Sequence, residues 1–231
     1  MVSLKERKTP NVFGVYLVGA IMVWFGGLLG FVYLTAFPTK AFASMGEYEE
    51  ARASGDSPRL PKPGDGWFIS GPIFAAGSWE AKREALKAEG PQTVSLSAGE
   101  MNAWVNARLS ATTTPLNKKD SNLVVVPGLP NFAVVEGRGL YINLPLAAYF
   151  FGTKREYMLT AIGSVGEGGF QPLSVSLNRA ALPFPEILGA QVVQAFAQAF
   201  QSTEDYEILA QAFNRAESIS VEANALVFNL R

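Results

Sequence analysis

Asn102, Trp104 and Asn106, all within 95-SLSAGEMNAWVNARL-109, are the side chains whose types and spacing could recognise a ligand. Two carboxamides four residues apart share a helix face, and each offers donors and an acceptor. They could hold a sugar or a lipid headgroup, with the tryptophan as a platform. The plainer alternative is that the asparagines face solvent or bond a neighbouring strand, while the indole fills a core with its large apolar area.

The commoner enzymatic chemistries have little to work with. The 231-residue chain holds no histidine and no cysteine. That removes the most frequent general base, the most frequent zinc ligand, thiolate metal sites, disulfides and covalent thiol catalysis. The glycine run 163-GSVGEGG-169 lacks the Lys-Ser/Thr of a phosphate loop and precedes a strand pattern, so it reads as a hairpin turn. No GxSxG elbow occurs. Paired carboxylates across a cleft stay open, because space rather than sequence sets such pairs, but no Asp or Glu stands out. The expectation is a non-enzymatic protein with no catalytic residue, no cofactor and no metal. With 19 Lys+Arg against 20 Asp+Glu, the chain has no field to steer a nucleic acid, and none is expected as a partner.

The strongest single signal is 12-VFGVYLVGAIMVWFGGLLGFVYLTAF-37, which holds no charged side chain. As a helix it reaches roughly 39 Å, against a hydrocarbon core of about 30 Å. Lys5, Arg7 and Lys8 precede it, whereas 47-EYEE-50 follows soon after. The positive-inside bias therefore places residues 1–11 in the cytoplasm and the C-terminal bulk outside the inner membrane. Ala41-Phe42-Ala43 has the form of a signal-peptidase site, yet the apolar run is far longer than the roughly 7–15 residues of a signal core, which favours an uncleaved anchor. Gly19, Gly26 and Gly30 fall on one face, a surface that lets a second membrane helix approach closely. A protein partner in the membrane is expected there.

Residues 38–66 read as an extracytoplasmic spacer, with a short helical piece over 45–53 before the proline- and glycine-rich 54-SGDSPRLPKPGDG-66. The rest, 67–231, reads as one domain. A helix over 78–90 starts at Ser78, and its Lys82, Arg83 and Lys87 form a basic side, either solvated or facing lipid headgroups. Ser97 and Glu100 make a capping box, and Leu96 with Met101 a hydrophobic staple. Met101, Trp104, Val105 and Leu109 then form one apolar stripe of a helix over 98–110. Beyond the polar 111–122, the period changes to two. Strands are expected over 122–127, 131–137, 139–145, 155–165 and 170–182, joined as an antiparallel meander.

Two helices follow, about 185–201 and 203–214. The first turns Leu188, Val192, Ala195, Phe196, Ala199 and Phe200 inward; the second does so with Tyr206, Leu209, Ala210 and Phe213. A hairpin over 218–231 turns near Asn224. The fold class is thus α+β: a single transmembrane helix, then a curved antiparallel sheet packed with helices. Its apolar excess suits an enclosed lipid or other apolar ligand, or burial against a partner.

Ser97, Glu100 and Asn102 on the helix, the turn 181-ALPFP-185 and the closing hairpin carry a further likeness. Over roughly residues 93–230 the chain resembles the YpmS-like family of membrane-anchored bacterial envelope proteins. The resemblance implies an extracytoplasmic α+β domain, loosely similar to folds that handle apolar ligands, and it brings no catalytic residue. The proline-rich spacer and the helix over 78–90 depart from that pattern. The function expected is a membrane-anchored binding or scaffolding protein; the alternative is an accessory subunit of a larger membrane complex.

Overall fold

The computed structural model describes residues 11–62, 65–72, 78–109, 123–151, 153–166, 169–201 and 203–231, without the side chains of 123, 192, 193 and 195–199. The flanking Lys5, Arg7 and Lys8, the loop 111–122, and the inward positions Val192, Ala195, Phe196 and Ala199 therefore lie outside what is described.

Helix α1 spans Val12–Ala36, and Asn11 caps it by accepting from the Phe13 N–H. It is long and apolar enough to cross a membrane, and its most apolar window is not buried against the rest of the chain. That is compatible with a membrane anchor. The short strand β1 (Lys40–Phe42), helix α2 (Met45–Ala53) and strand β2 (Trp67–Ile69) come next. β1 and β2 pair in parallel, and Phe42, Ala51 and Ile69 bury with Ala133, Val135 and Tyr141. The ring of Tyr48 stacks on Trp67 with centroids 4.4 Å apart. This is a correction to the spacer expected over 38–66: its first half is packed onto the domain. The prolines and glycines of 54–66 dominate the composition, whereas Phe42, Tyr48 and Ala51 supply the apolar side that docks.

Helix α3 (Trp79–Lys87) follows, then β3 (Gln92–Ser97) and α4 (Ala98–Arg108). Ser78 does not cap α3; its hydroxyl donates to Glu100 Oε1 at 2.9 Å. α4 carries the expected capping box, with Ser97 Oγ accepting from the Glu100 N–H at 3.2 Å and Glu100 Oε2 accepting from the Ser97 N–H at 2.9 Å. Strands β4 (Leu123–Pro127), β5 (Asn131–Val135), β6 (Gly139–Phe150), β7 (Thr153–Gly166), β8 (Gly169–Leu177) and β9 (Ala180–Ala181) make one sheet. The long β6 serves both β4 and β5 along one edge, while β6, β7, β8 and β9 follow one another as antiparallel neighbours.

Helices α5 (Pro185–Gln201) and α6 (Asp205–Arg215) lead to β10 (Ala216–Glu222) and β11 (Ala225–Leu230). These strands join β3 in a second sheet, ordered β10-β11-β3. Their tight turn places Ala223 and Asn224 at φ 48° and 58°.

Two larger cores result. Leu86, Val94, Leu96, Trp104, Ile208, Ala212 and Phe228 gather on the three-stranded sheet. Val105, Phe132, Leu140, Ile142, Ala161 and Val175 gather on the six-stranded one. The predicted stripe of α4 divides between them: Trp104 enters the first, Val105 the second, and Met101 and Leu109 touch both. α5 lies against β8 so closely that a Cβ on Gly189 would come 2.3 Å from the Pro172 side chain.

The end of α1 is bonded to the body of the protein. Asn178, at φ 50°, takes a left-handed conformation that asparagine tolerates. Its Nδ2 donates to Thr35 O at 2.7 Å, while its Oδ1 accepts from the Met158 N–H at 2.8 Å. Next to it, Arg179 donates to Pro38 O at 3.3 Å, pairs with Asp65 at 3.2 Å and lies over the Phe37 ring.

Candidate functional site

The most distinctive feature of the domain is a cavity of about 370 Å³ between the two sheets. α4 supplies Met101, Trp104 and Val105 to its wall; the sheets add Phe132, Ile142, Leu226 and Phe228, among others. The β7–β8 turn closes one side with Gly169 and Phe170. α6 closes another with Tyr206, Leu209, Ala210 and Phe213. These four fall at i, i+3, i+4 and i+7, the helical stripe that normally seals a core. Here all four stay only partly buried, because they face space.

The described wall is almost entirely hydrocarbon and aromatic. Its two polar groups on side chains are the Tyr206 hydroxyl and the Trp104 indole N–H, and the latter is already engaged, donating to Asp205 Oδ2 at 2.8 Å. Among the described residues, the wall offers no further side-chain donor or acceptor to a polar substrate. It can exchange water for an apolar molecule, with a free energy near 25 cal/mol per Å² of buried apolar surface.

Behind that wall sits a buried ionic clamp. Asp205, the first residue of α6, has no solvent exposure. Besides Trp104 it accepts from Arg83 Nε of α3 and, at 2.7 Å, from Arg108 Nε of α4. Arg83 also meets Glu84 at 2.5 Å, and Arg108 lies 5.7 Å from the Trp79 ring centroid. Three helices are thereby held together where α6 begins, which fixes the angle at which its stripe meets the cavity. The basic side read from Lys82, Arg83 and Lys87 is corrected accordingly, since Arg83 is buried and faces Asp205.

Burial pushes the Asp205 carboxyl up, but the Trp104 indole and the two guanidinium groups outweigh it and hold it below the ordinary carboxylate range. A depressed folded value gives stability that is fully present above the unfolded value of about 4 and disappears as pH falls through the folded one. Acid titration of the folded protein, followed by thermal unfolding, should therefore show a loss of stability beginning below about pH 4. Asp205→Asn should lack that part of the loss. An identical acid profile in the variant would contradict it.

Asn102 is fully buried. Its Nδ2 donates to Phe132 O and its Oδ1 accepts from the Phe132 N–H, both at 2.7 Å, so it holds α4 to β5 like one more rung of sheet. Asn106 donates from Nδ2 back to Asn102 O at 2.7 Å. Trp104 is 3% exposed and reaches the cavity with its ring. Of the three ligand-contact candidates, only Trp104 borders the cavity, and Asn102 is positioned as a strut. Gly19, Gly26 and Gly30 lie on α1, far from this site in the chain, and a Cβ on any of them would meet nothing within 4 Å.

Asp205, Phe132 and Phe170 are site residues that the sequence does not single out. An acid in the first turn of a helix is ordinary, since it suits the helix dipole. Among the described residues, no group of three or more Asp or Glu side chains could hold a metal ion.

No family model matches this chain, and neither a characterised protein nor a solved structure shows significant similarity to it.

Proposed function

We propose that the protein is a non-enzymatic, single-pass membrane protein whose extracytoplasmic domain shelters an acyl chain or a similarly apolar ligand. The observation that carries this reading is the cavity at the Trp104–Leu209–Phe213 wall, whose volume of about 370 Å³ falls within the roughly 300–1,000 Å³ of small-molecule sites. Its described lining is almost all apolar, a place suited to hydrocarbon. The basic flank before α1 supports an N-terminus in the cytoplasm and a domain on the outer side of the inner membrane. Membership of the YpmS-like group of envelope proteins belongs to the same proposal.

A second reading, an accessory subunit docking through α1, is favoured by the open face of Gly19, Gly26 and Gly30. The two are compatible, since one uses the membrane helix and the other the domain.

The test of the first is to fill the cavity. Ala210→Phe places a ring where the ligand's last methylenes would lie. Excluding two methylenes at about 0.8 kcal/mol each weakens binding by roughly tenfold. Titration of the full-length protein in detergent with a fluorescent fatty acid reads this directly. Equal affinity in wild type and variant, with the variant still folded by its thermal transition, would sink the reading.

A further inference from the structure

The β6–β7 hairpin ends in three exposed aromatic side chains, Tyr149, Phe150 and Phe151, at 38%, 55% and 71% exposure. Burial gives no account of them. Phe150 and Phe151 touch each other, with ring centroids 4.5 Å apart. Phe151 moreover sits at φ 46°, a left-handed conformation that disfavours any bulky side chain and suits glycine. Beyond its contact with Phe150, the described fold gives no reason for a phenylalanine where the backbone favours glycine. Its chemistry is spent elsewhere.

The surroundings indicate where. β8 pairs with β7 only from Leu159 onward, so residues 153–158 project beyond it. At the base of that projection, Met158 is bonded to Asn178, the residue that holds Thr35 at the end of α1. A cavity of about 470 Å³ at the same place is lined by Pro38 and Thr39 of the anchor's exit and by Ala147 and Glu156 of the hairpin. The tip lies three residues beyond Ala147, roughly 10 Å at about 3.3 Å per residue. Lys154 and Arg155 follow the aromatics after two intervening residues, Lys154 paired with Glu156 at 2.8 Å. Aromatic rings flanked by cations, a short reach from a membrane helix, match the boundary between headgroups and acyl chains.

We infer that the Tyr149–Phe151 tip is a second membrane contact: it enters the headgroup–acyl boundary of the bilayer that α1 crosses, with Arg155 and Lys154 facing lipid phosphates. Together with the Asn178–Thr35 bond, this contact holds the domain in one orientation on the lipid surface. The inference rests on α1 spanning the bilayer and is independent of the cavity between the sheets.

Because the chain has no cysteine, single labels are clean. Phe151→Cys, Gly26→Cys and Glu222→Cys each carry an environment-sensitive fluorophore; Glu222 ends β10 beside the turn whose Asn224 bonds Glu136, at the opposite end of β6 from the tip. The full-length protein is placed in liposomes of phosphatidylethanolamine and phosphatidylglycerol. The label at 151 should shift to the blue, resist iodide and be quenched by nitroxide on the acyl chain, whereas the label at 222 stays open to iodide. Iodide quenching at 151 equal to that at 222 overturns the inference. Shielding at 151 in native membranes but not in these liposomes means that a protein covers the tip, which also overturns it. A label at 26 that acyl-chain nitroxides do not reach overturns the anchor, and this inference with it.

Discussion

Asp205→Ala is expected to cost the fold about 3–5 kcal/mol, because it leaves a buried guanidinium without its main partner. Arg83 is nearly as buried as Asp205, and its other contacts, Glu84 and Glu204, are carboxylates held at the surface. The same deletion strands the Trp104 indole N–H inside the core. For a chain of this size each kcal/mol lowers the melting temperature by about 2–4 °C, so a drop of roughly 6–20 °C is expected in a thermal scan. The penalty comes from an unpaired charge and not from any special strength of the pair. Replacing both partners together, Arg83→Met with Asp205→Leu, should therefore recover the share due to the stranded guanidinium, while the Trp104 indole N–H stays without its acceptor. A double variant as unstable as the single one would contradict this account of the clamp. Ligand retention should fall in Asp205→Ala as well, since Asp205 fixes the start of the helix whose Tyr206, Leu209, Ala210 and Phe213 line the cavity.

Gly71→Ala should be comparably damaging for a different reason. A Cβ there would lie 1.8 Å from Phe132 O and 2.6 Å from Asn102 Nδ2. Neither neighbour is free to move. Phe132 O already accepts from Asn102 at 2.7 Å, and Gly71 exchanges two hydrogen bonds with the Asn131 carboxamide, at 2.8 and 2.7 Å. One methyl group thus separates the 69–71 segment, β5 and α4 at their common junction. A loss of about 3–5 kcal/mol is expected, at the high end for single substitutions, as for other changes that break a buried polar network. Gly137→Ala is the useful contrast: that glycine is at positive φ but has open space around it, so only the conformational cost of roughly 1–2 kcal/mol applies. Equal melting temperatures for the two variants would show that the Gly71 contact does not decide stability.

These two sites also show what can be read from the chain. The start of α4 is legible because Ser97, Glu100, Leu96 and Met101 are within five residues of one another and their chemistry is local. The α+β class follows from the change of period after 122, and the observed antiparallel strands bear it out. β3 is also present in the sequence, as the alternation of Thr93 and Ser95 with the buried Val94 and Leu96. Treating Leu96 only as a staple residue conceals it.

The site is a harder matter. Asn102 looks like a surface carboxamide until β5, thirty residues away, brings Phe132 against it. The Arg83–Asp205 bond joins residues 122 apart in the chain, and each alone is an ordinary charged residue of a helix. A cavity has still less of a signature, because it is the space that correctly patterned apolar residues fail to fill. Tyr206, Leu209, Ala210 and Phe213 would show the same stripe over a solid core.

The most direct test of the central claim is native mass spectrometry of the full-length protein released from its membranes in a mild detergent. One bound molecule of fatty-acid or lipid mass is expected on the wild-type protein, with a clearly smaller bound fraction on Ala210→Phe, in keeping with a roughly tenfold loss of affinity. A wild-type protein that arrives bare, and stays bare after incubation with a long-chain fatty acid, would contradict it.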